Sequence, residues 1–91
     1  MRVAPPDPAE AEEIAIAALA HIAEDGDRLS RFLAITGLDP GEIRHAAAQP
    51  GFLRAVLDHL AAHEPDYLAF AAAVGKAPAR IEAARLLLAS A

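Results

Sequence analysis

Helix stop and start signals cut this chain into short pieces, and that punctuation limits its fold more than any other feature. Asp7-Pro8-Ala9-Glu10 supplies an N-cap, a proline at the first helical position and a glutamate placed to close a capping box. Gly37 sits where a helix ends in a left-handed residue, and Asp39-Pro40 with Glu42 starts the next helix three residues on. Leu38 and Ile43 flank that start as a hydrophobic staple. Pro50, Glu64-Pro65 and the pair Gly75 and Pro78 mark three further junctions. Alanine, the best helix former, dominates the intervals, while β-branched and aromatic strand formers are few. The expected fold is all-α: a compact orthogonal bundle of five to six short helices, with residues 1–7 a flexible N-terminal tail and residues 8–91 a single helical domain.

Each interval carries an apolar stripe. Helix 1, about Pro8 to Glu24, presents Ala11, Ile14, Ala18, Leu19 and Ile22. Asp27 is expected to cap helix 2, about Arg28 to Thr36, with Leu29, Phe32, Leu33 and Ile35 as its apolar set. Helix 3 is short, about Pro40 to Ala48. Pro50 is expected to open helix 4, whose Phe52, Leu53, Val56, Leu57 and Leu60 form the most continuous stripe and the expected centre of the core. Helix 5 offers Tyr67, Leu68, Phe70 and Val74, and helix 6 offers Ile81, Ala84 and Leu88.

A pattern recurs at a spacing of 38. Phe32, Ala34, Gly37, Pro40, Ile43 and Ala46 align with Phe70, Ala72, Gly75, Pro78, Ile81 and Ala84. Two similar helical hairpins around helices 1 and 4 would produce it, whether by duplication or by two uses of one efficient corner.

The formal net charge of −5 is uneven. Residues 1–45 hold nine acids and four bases, and residues 46–91 hold four of each. An acidic half disfavours nucleic acid and anionic membrane, and its plain use is solubility. No apolar run approaches the roughly 18 residues of a membrane span, and the N-terminus lacks the apolar core of a signal peptide. With no cysteine there is neither a disulfide frame nor a thiolate metal site. The expectation is a cytoplasmic protein that uses no membrane.

The residues bear on three kinds of chemistry. Residues 28–48 have the spacing of a helix-turn-helix, with Gly37, Leu38 and Ile43 at the corner. The second helix offers only Arg44, His45 and Gln49 to DNA, and Glu42 stands near its start, so nucleic acid is not the expected partner. His59 and His63 form an i, i+4 pair that could ligate a metal, but no HExxH pattern accompanies them. Their plain reading is a half-buried rim, with His63 at a helix C-terminus. No metal or other cofactor is expected. His21 and His45 are expected on the surface. Ser30 and Ser90 are the only serines and Thr36 the only threonine; no nucleophile elbow or phosphate loop is present, and catalysis is not expected. What remains is protein interaction. Ile16 and Leu86 lie off their own core stripes and could form a partner or homodimer patch, although single exposed apolar residues are ordinary.

The chain also resembles a family. Arg31-Phe32-Leu33-Ala34, Thr36-Gly37-Leu38-Asp39-Pro40, Phe52-Leu53, Val56-Leu57-Asp58, Leu68 and Phe70-Ala71 are similar to small helical proteins known chiefly from alphaproteobacteria, catalogued as domain of unknown function number 3572. The resemblance spans roughly residues 10–88 and implies a cytoplasmic helical protein with no assigned activity and no catalytic residues to carry over. Gln49 before Pro50 departs from the better N-cap expected there. Arg31 and Thr36 belong to the most distinctive block, yet no cap requires them. They join Ile16 and Leu86 as candidate interaction residues of a non-catalytic interaction or adaptor module. The alternative reading is a DNA-associated regulator using the 28–48 corner.

Overall fold

Helix α1 (Pro8–Ala23) begins where the sequence places it: the Asp7 carboxylate accepts the Glu10 N–H at 2.8 Å, and Pro8 occupies the first turn. The computed structural model describes residues 5–49 and 51–89. Five further α-helices follow among them: α2 (Gly26–Thr36), α3 (Ile43–Ala47) after a 3₁₀ turn at Pro40–Glu42, α4 (Phe52–Ala61), α5 (Glu64–Val74) and α6 (Pro78–Ala89). The radius of gyration is 12.7 Å, close to the roughly 12 Å expected for a compact chain of this length. Of the expected tail, residues 1–4 lie outside the described residues, and Pro6 is buried.

The caps explain most boundaries. Asp25, not Asp27, caps α2: its extended backbone lets Oδ1 accept the N–H groups of both Asp27 and Arg28. Asp27 then lies inside the first turn, where a carboxylate suits the helix dipole. Arg28 closes the same corner by donating to the His21 carbonyl at 2.7 Å. Gly37 ends α2 at φ +75°, its N–H bonded to the Leu33 carbonyl. The Glu42 carboxylate accepts the Asp39 N–H at 3.2 Å, as a capping box requires. Helix α4 starts at Phe52 behind Gly51 (φ +84°), later than the expected start at Pro50, which lies outside the described residues.

Helix α1 is the hub. It packs most extensively on α6, then on α4 and α2. Ala11, Ala15 and Ala18 are fully buried on it, and their small side chains let the neighbouring helices approach closely. Val56, Leu57 and Leu60 of α4 are buried beside them, which places the α4 stripe at the core as expected. Phe32, Phe70, Ile81 and Ala84 complete the centre. Three expectations are corrected. Ile35 and Leu68 are 68% and 47% exposed, because their helices turn other residues inward. His21, expected on the surface, is 9% exposed and packs against Phe70 with ring centroids 5.5 Å apart.

Ion pairs tie the helices at their edges. Glu10 of α1 accepts a two-point contact from Arg80 of α6 and faces Lys76, and the Arg80 hydrogen bonds hold its carboxyl below the usual range. Arg85 of α6 reaches both Asp58 of α4 and its own Glu82.

The 38-residue echo has a structural counterpart at its glycines. Gly37 and Gly75 both end a helix in the left-handed region, at φ +75° and +67°. The copies then diverge: Pro40 opens a 3₁₀ turn, whereas Pro78 opens α6 directly. A Cβ at Gly37 would meet no atom within 4 Å, so the cost of Gly37→Ala is backbone strain alone. The expected loss is about 1–2 kcal/mol, measurable as a lower urea midpoint with an unchanged m-value. A neutral outcome would show that this corner does not need the left-handed conformation.

Candidate functional site

Between α2 and α4 lies a groove of about 420 Å³ lined by Arg31, Ile35, Thr36, Ala55, Asp58, His59, Ala62 and His63. Helical spacing builds both walls. Arg31 and Ile35 are one turn apart on α2. Ala55, Asp58, His59 and Ala62 recur at three- and four-residue intervals along α4 and its C-cap. Its lining surface is mostly apolar with a few polar side chains, the usual constitution of a binding cleft.

The polar groups are held in place. Arg31 Nη1 donates to Asp66 Oδ2 of α5 at 2.6 Å, and the same oxygen lies 3.2 Å from His63 Nδ1. Asp66 thereby fastens the α2 wall to the start of α5. The Thr36 hydroxyl donates to the Phe32 carbonyl at 2.7 Å. It lies 3.4 Å from the Leu38 N–H, so Thr36 links the last turn of α2 to the chain leaving it. His59 stands edge-on to Phe32, with ring centroids 5.1 Å apart. Burial lowers its pKa, and the nearby Arg31 charge adds to that effect. His59 is therefore a neutral wall of the groove at neutral pH. Asp58 is engaged from outside by Arg85 and by Arg54 at 3.4 Å.

The structure thus brings Arg31, Thr36, His59 and His63 to one place. It also explains the first two structurally: one bridges helices, and the other satisfies a helix end. The histidines do not share a helix face. α4 ends at Ala61, and His63 occupies the N-cap of α5 rather than a C-terminal turn of α4. No cluster of three or more His, Asp or Glu side chains at metal-binding geometry occurs among the described residues. Ile16 and Leu86 are 56% and 61% exposed and do not line the groove. At the 28–48 corner, α3 has five residues, a length of about 7.5 Å. Glu42 precedes it, and His45 lies 3.4 Å from Gln49.

Sequence reasoning missed Ile35, Ala55 and Ala62 as groove residues. The signal was present. Taking the centre of Leu29, Phe32 and Leu33 as inward, Ile35 falls about 110° away on a helical wheel. Ala55 and Ala62 make a second, small-residue stripe on α4 that the larger side chains of the first conceal.

Six short helices among the described residues, packed around an apolar core with a groove on one side, define a small all-helical protein. No helix among the described residues is long and apolar enough to cross a membrane. The chain belongs to the family described as "Protein of unknown function (DUF3572)", whose model matches residues 8–91. No curated protein and no solved structure matches it.

Proposed function

We propose that this protein is a non-catalytic interaction module whose contact face is the α2–α4 groove. One observation carries the reading: Ile35, a large apolar side chain 68% exposed, lines a mostly apolar groove whose polar groups are held by ion pairs and hydrogen bonds. Solvating Ile35 there contributes nothing to the core, whereas covering it would remove apolar area from water. The family match supports a shared fold and brings no reaction with it.

Affinity capture tests the reading. The bait is the full chain, and the lysate comes from an alphaproteobacterial host, the origin the family resemblance implies. Ile35→Glu is expected to reduce recovery of specific partners at least about tenfold, while Leu86→Glu, outside the groove, leaves it unchanged. Equal recovery by wild type and Ile35→Glu would move the contact face elsewhere. Duplex DNA is not expected to shift at physiological salt. A salt-sensitive shift at low micromolar protein would replace this reading with the DNA-associated one.

A further inference from the structure

The interaction reading leaves the chemistry of the groove's partner open, and the following inference rests on that reading. We propose that the partner's contacting surface is apolar and uncharged, and that His59 and His63 gate its binding: the groove accepts that surface when both rings are neutral and rejects it when they are protonated.

The matching of charge within the chain argues for it first. Asp66 answers Arg31 at 2.6 Å, and Asp58 is held by Arg85 and by Arg54 at 3.4 Å. The Thr36 hydroxyl donates to the Phe32 carbonyl. A charged partner would gain a contact only by displacing one of these groups from its own. An apolar partner covers Ile35, Ala55 and Ala62 and leaves every pair intact. With the fixed ions matched, the histidines set the charge of the groove, because histidine is the lining type that ordinarily changes charge between pH 5 and 8.

The placement of the two rings argues for it independently. His59 stands edge-on to Phe32, so a partner laid over the groove takes water from its open side. His63 lies 3.2 Å from the Asp66 oxygen that already accepts Arg31. Charged groups surround the pair: Arg31 from α2, Asp66 from α5, and Asp58 and Arg54 on α4 itself, with Arg85 reaching Asp58 from α6. On α1, His21 packs against Phe70, one turn beyond Asp66, and feels the charges of Asp66, Arg28, Glu24 and Asp25. With both groove rings neutral, Asp66 balances Arg31. With both protonated, one carboxylate faces Arg31 and two imidazolium ions. Burial and the Arg31 charge already hold His59 toward its neutral form, and a covering partner pushes it the same way. Binding therefore releases protons. For His59, affinity is full above the ordinary value of 6.5 and is lost as pH falls below it, by at most about tenfold per pH unit for each proton released.

The test uses the purified full chain and Nile red, an uncharged apolar dye, as the probe. At pH 7.5 the dye's fluorescence should rise to saturation, with affinity at least about tenfold weaker in Ile35→Glu. From pH 7.5 to pH 5 the wild-type dissociation constant should rise about threefold or more. The double variant His59→Gln with His63→Gln should bind equally at both pH values. His21→Leu should keep the wild-type dependence, which separates the gate from a general loosening in acid. Equal or tighter wild-type binding at pH 5 would overturn the proposal. So would the same fall in the double variant, or dye binding that ignores Ile35→Glu.

The second measurement needs no variant. Ring carbon-13 signals of the wild-type histidines, followed by NMR across pH, should show His59 titrating about half a pH unit or more lower with saturating dye than without it. A midpoint that the dye leaves unmoved would overturn the gate. Failure here is distinguishable from failure of the interaction reading. Captured partners that Ile35→Glu loses at pH 7.5, but that wild type recovers equally at pH 5, keep the groove as an interaction face and remove only the gate.

Discussion

Replacing Phe32 with alanine is expected to cost about 3–5 kcal/mol, out of a total stability of about 5–15 kcal/mol typical of a domain. Phe32 is fully buried and joins the core to the groove. Its ring meets Phe52 edge-on at 6.3 Å and His59 at 5.1 Å, and its carbonyl accepts the Thr36 hydroxyl. Truncation removes the side chain's transfer free energy and leaves a cavity among helices that cannot collapse onto it freely. The melting temperature is expected to fall by roughly 15–30 °C. Because His59 leans on the lost ring, the groove should loosen before the domain unfolds, visible as faster amide exchange in α2 and the end of α4. Phe32→Leu should recover more than half of the loss. Leu68→Ala supplies the contrast. Leu68 belongs to the apolar set the sequence offers on its helix, but at 47% exposure its truncation should change stability by no more than about 0.5 kcal/mol. Equal effects at the two positions would contradict the packing described here.

Helix ends were legible in the sequence because they are local. Asp7, Gly37, Asp39-Pro40, Gly75 and Pro78 each act within four residues of themselves, and all five mark a boundary. The error at Asp25 and Asp27 arose because two carboxylates compete within one turn, and backbone geometry alone selects the one that reaches two N–H groups. Facing was legible only where residue type and position agreed. On α1, Ala11, Ile14, Ala15, Ala18, His21 and Ile22 form one stripe, and His21 lies about 20° from Ile14 on a wheel. Its polarity suggested a surface position, but its place on the helix decided otherwise. The groove was the least legible part. Arg31 and Thr36 stood out in the sequence, but their partners did not. Asp66 is 35 positions from Arg31, and no local rule pairs them. Only the packing of α2 and α5 against the same core brings them within 2.6 Å.

Acid should destabilise this protein well above the pH at which its carboxylates protonate, and His21 should be a principal cause. Its Nε2 is buried with no hydrogen-bond partner among the described residues, and its ring lies against Phe70. Burial lowers the His21 pKa first, and the Arg28 charge at the same corner acts in the same direction; Glu24, Asp66 and Asp25 oppose them more weakly. The unfolded chain keeps the ordinary value of 6.5. Between the depressed folded pKa and 6.5, the unfolded state therefore binds more protons than the folded one, and stability rises with pH. The neutral ring's contribution is complete above 6.5 and is lost as pH falls below it, at no more than about 1.4 kcal/mol per pH unit for one group. His59, lowered by its own burial, adds a loss of the same sign. Urea unfolding of wild type and His21→Leu at pH 7.5 and pH 5 separates the two. Leucine replaces the ring without a polar atom to satisfy, so the variant should match or exceed wild type at pH 7.5. Its stability should also fall less on going to pH 5, and His21→Leu with His59→Leu should fall less again. Parallel losses in wild type and His21→Leu would mean that the His21 ring reaches water and takes up its proton without opening the α1–α5 contact.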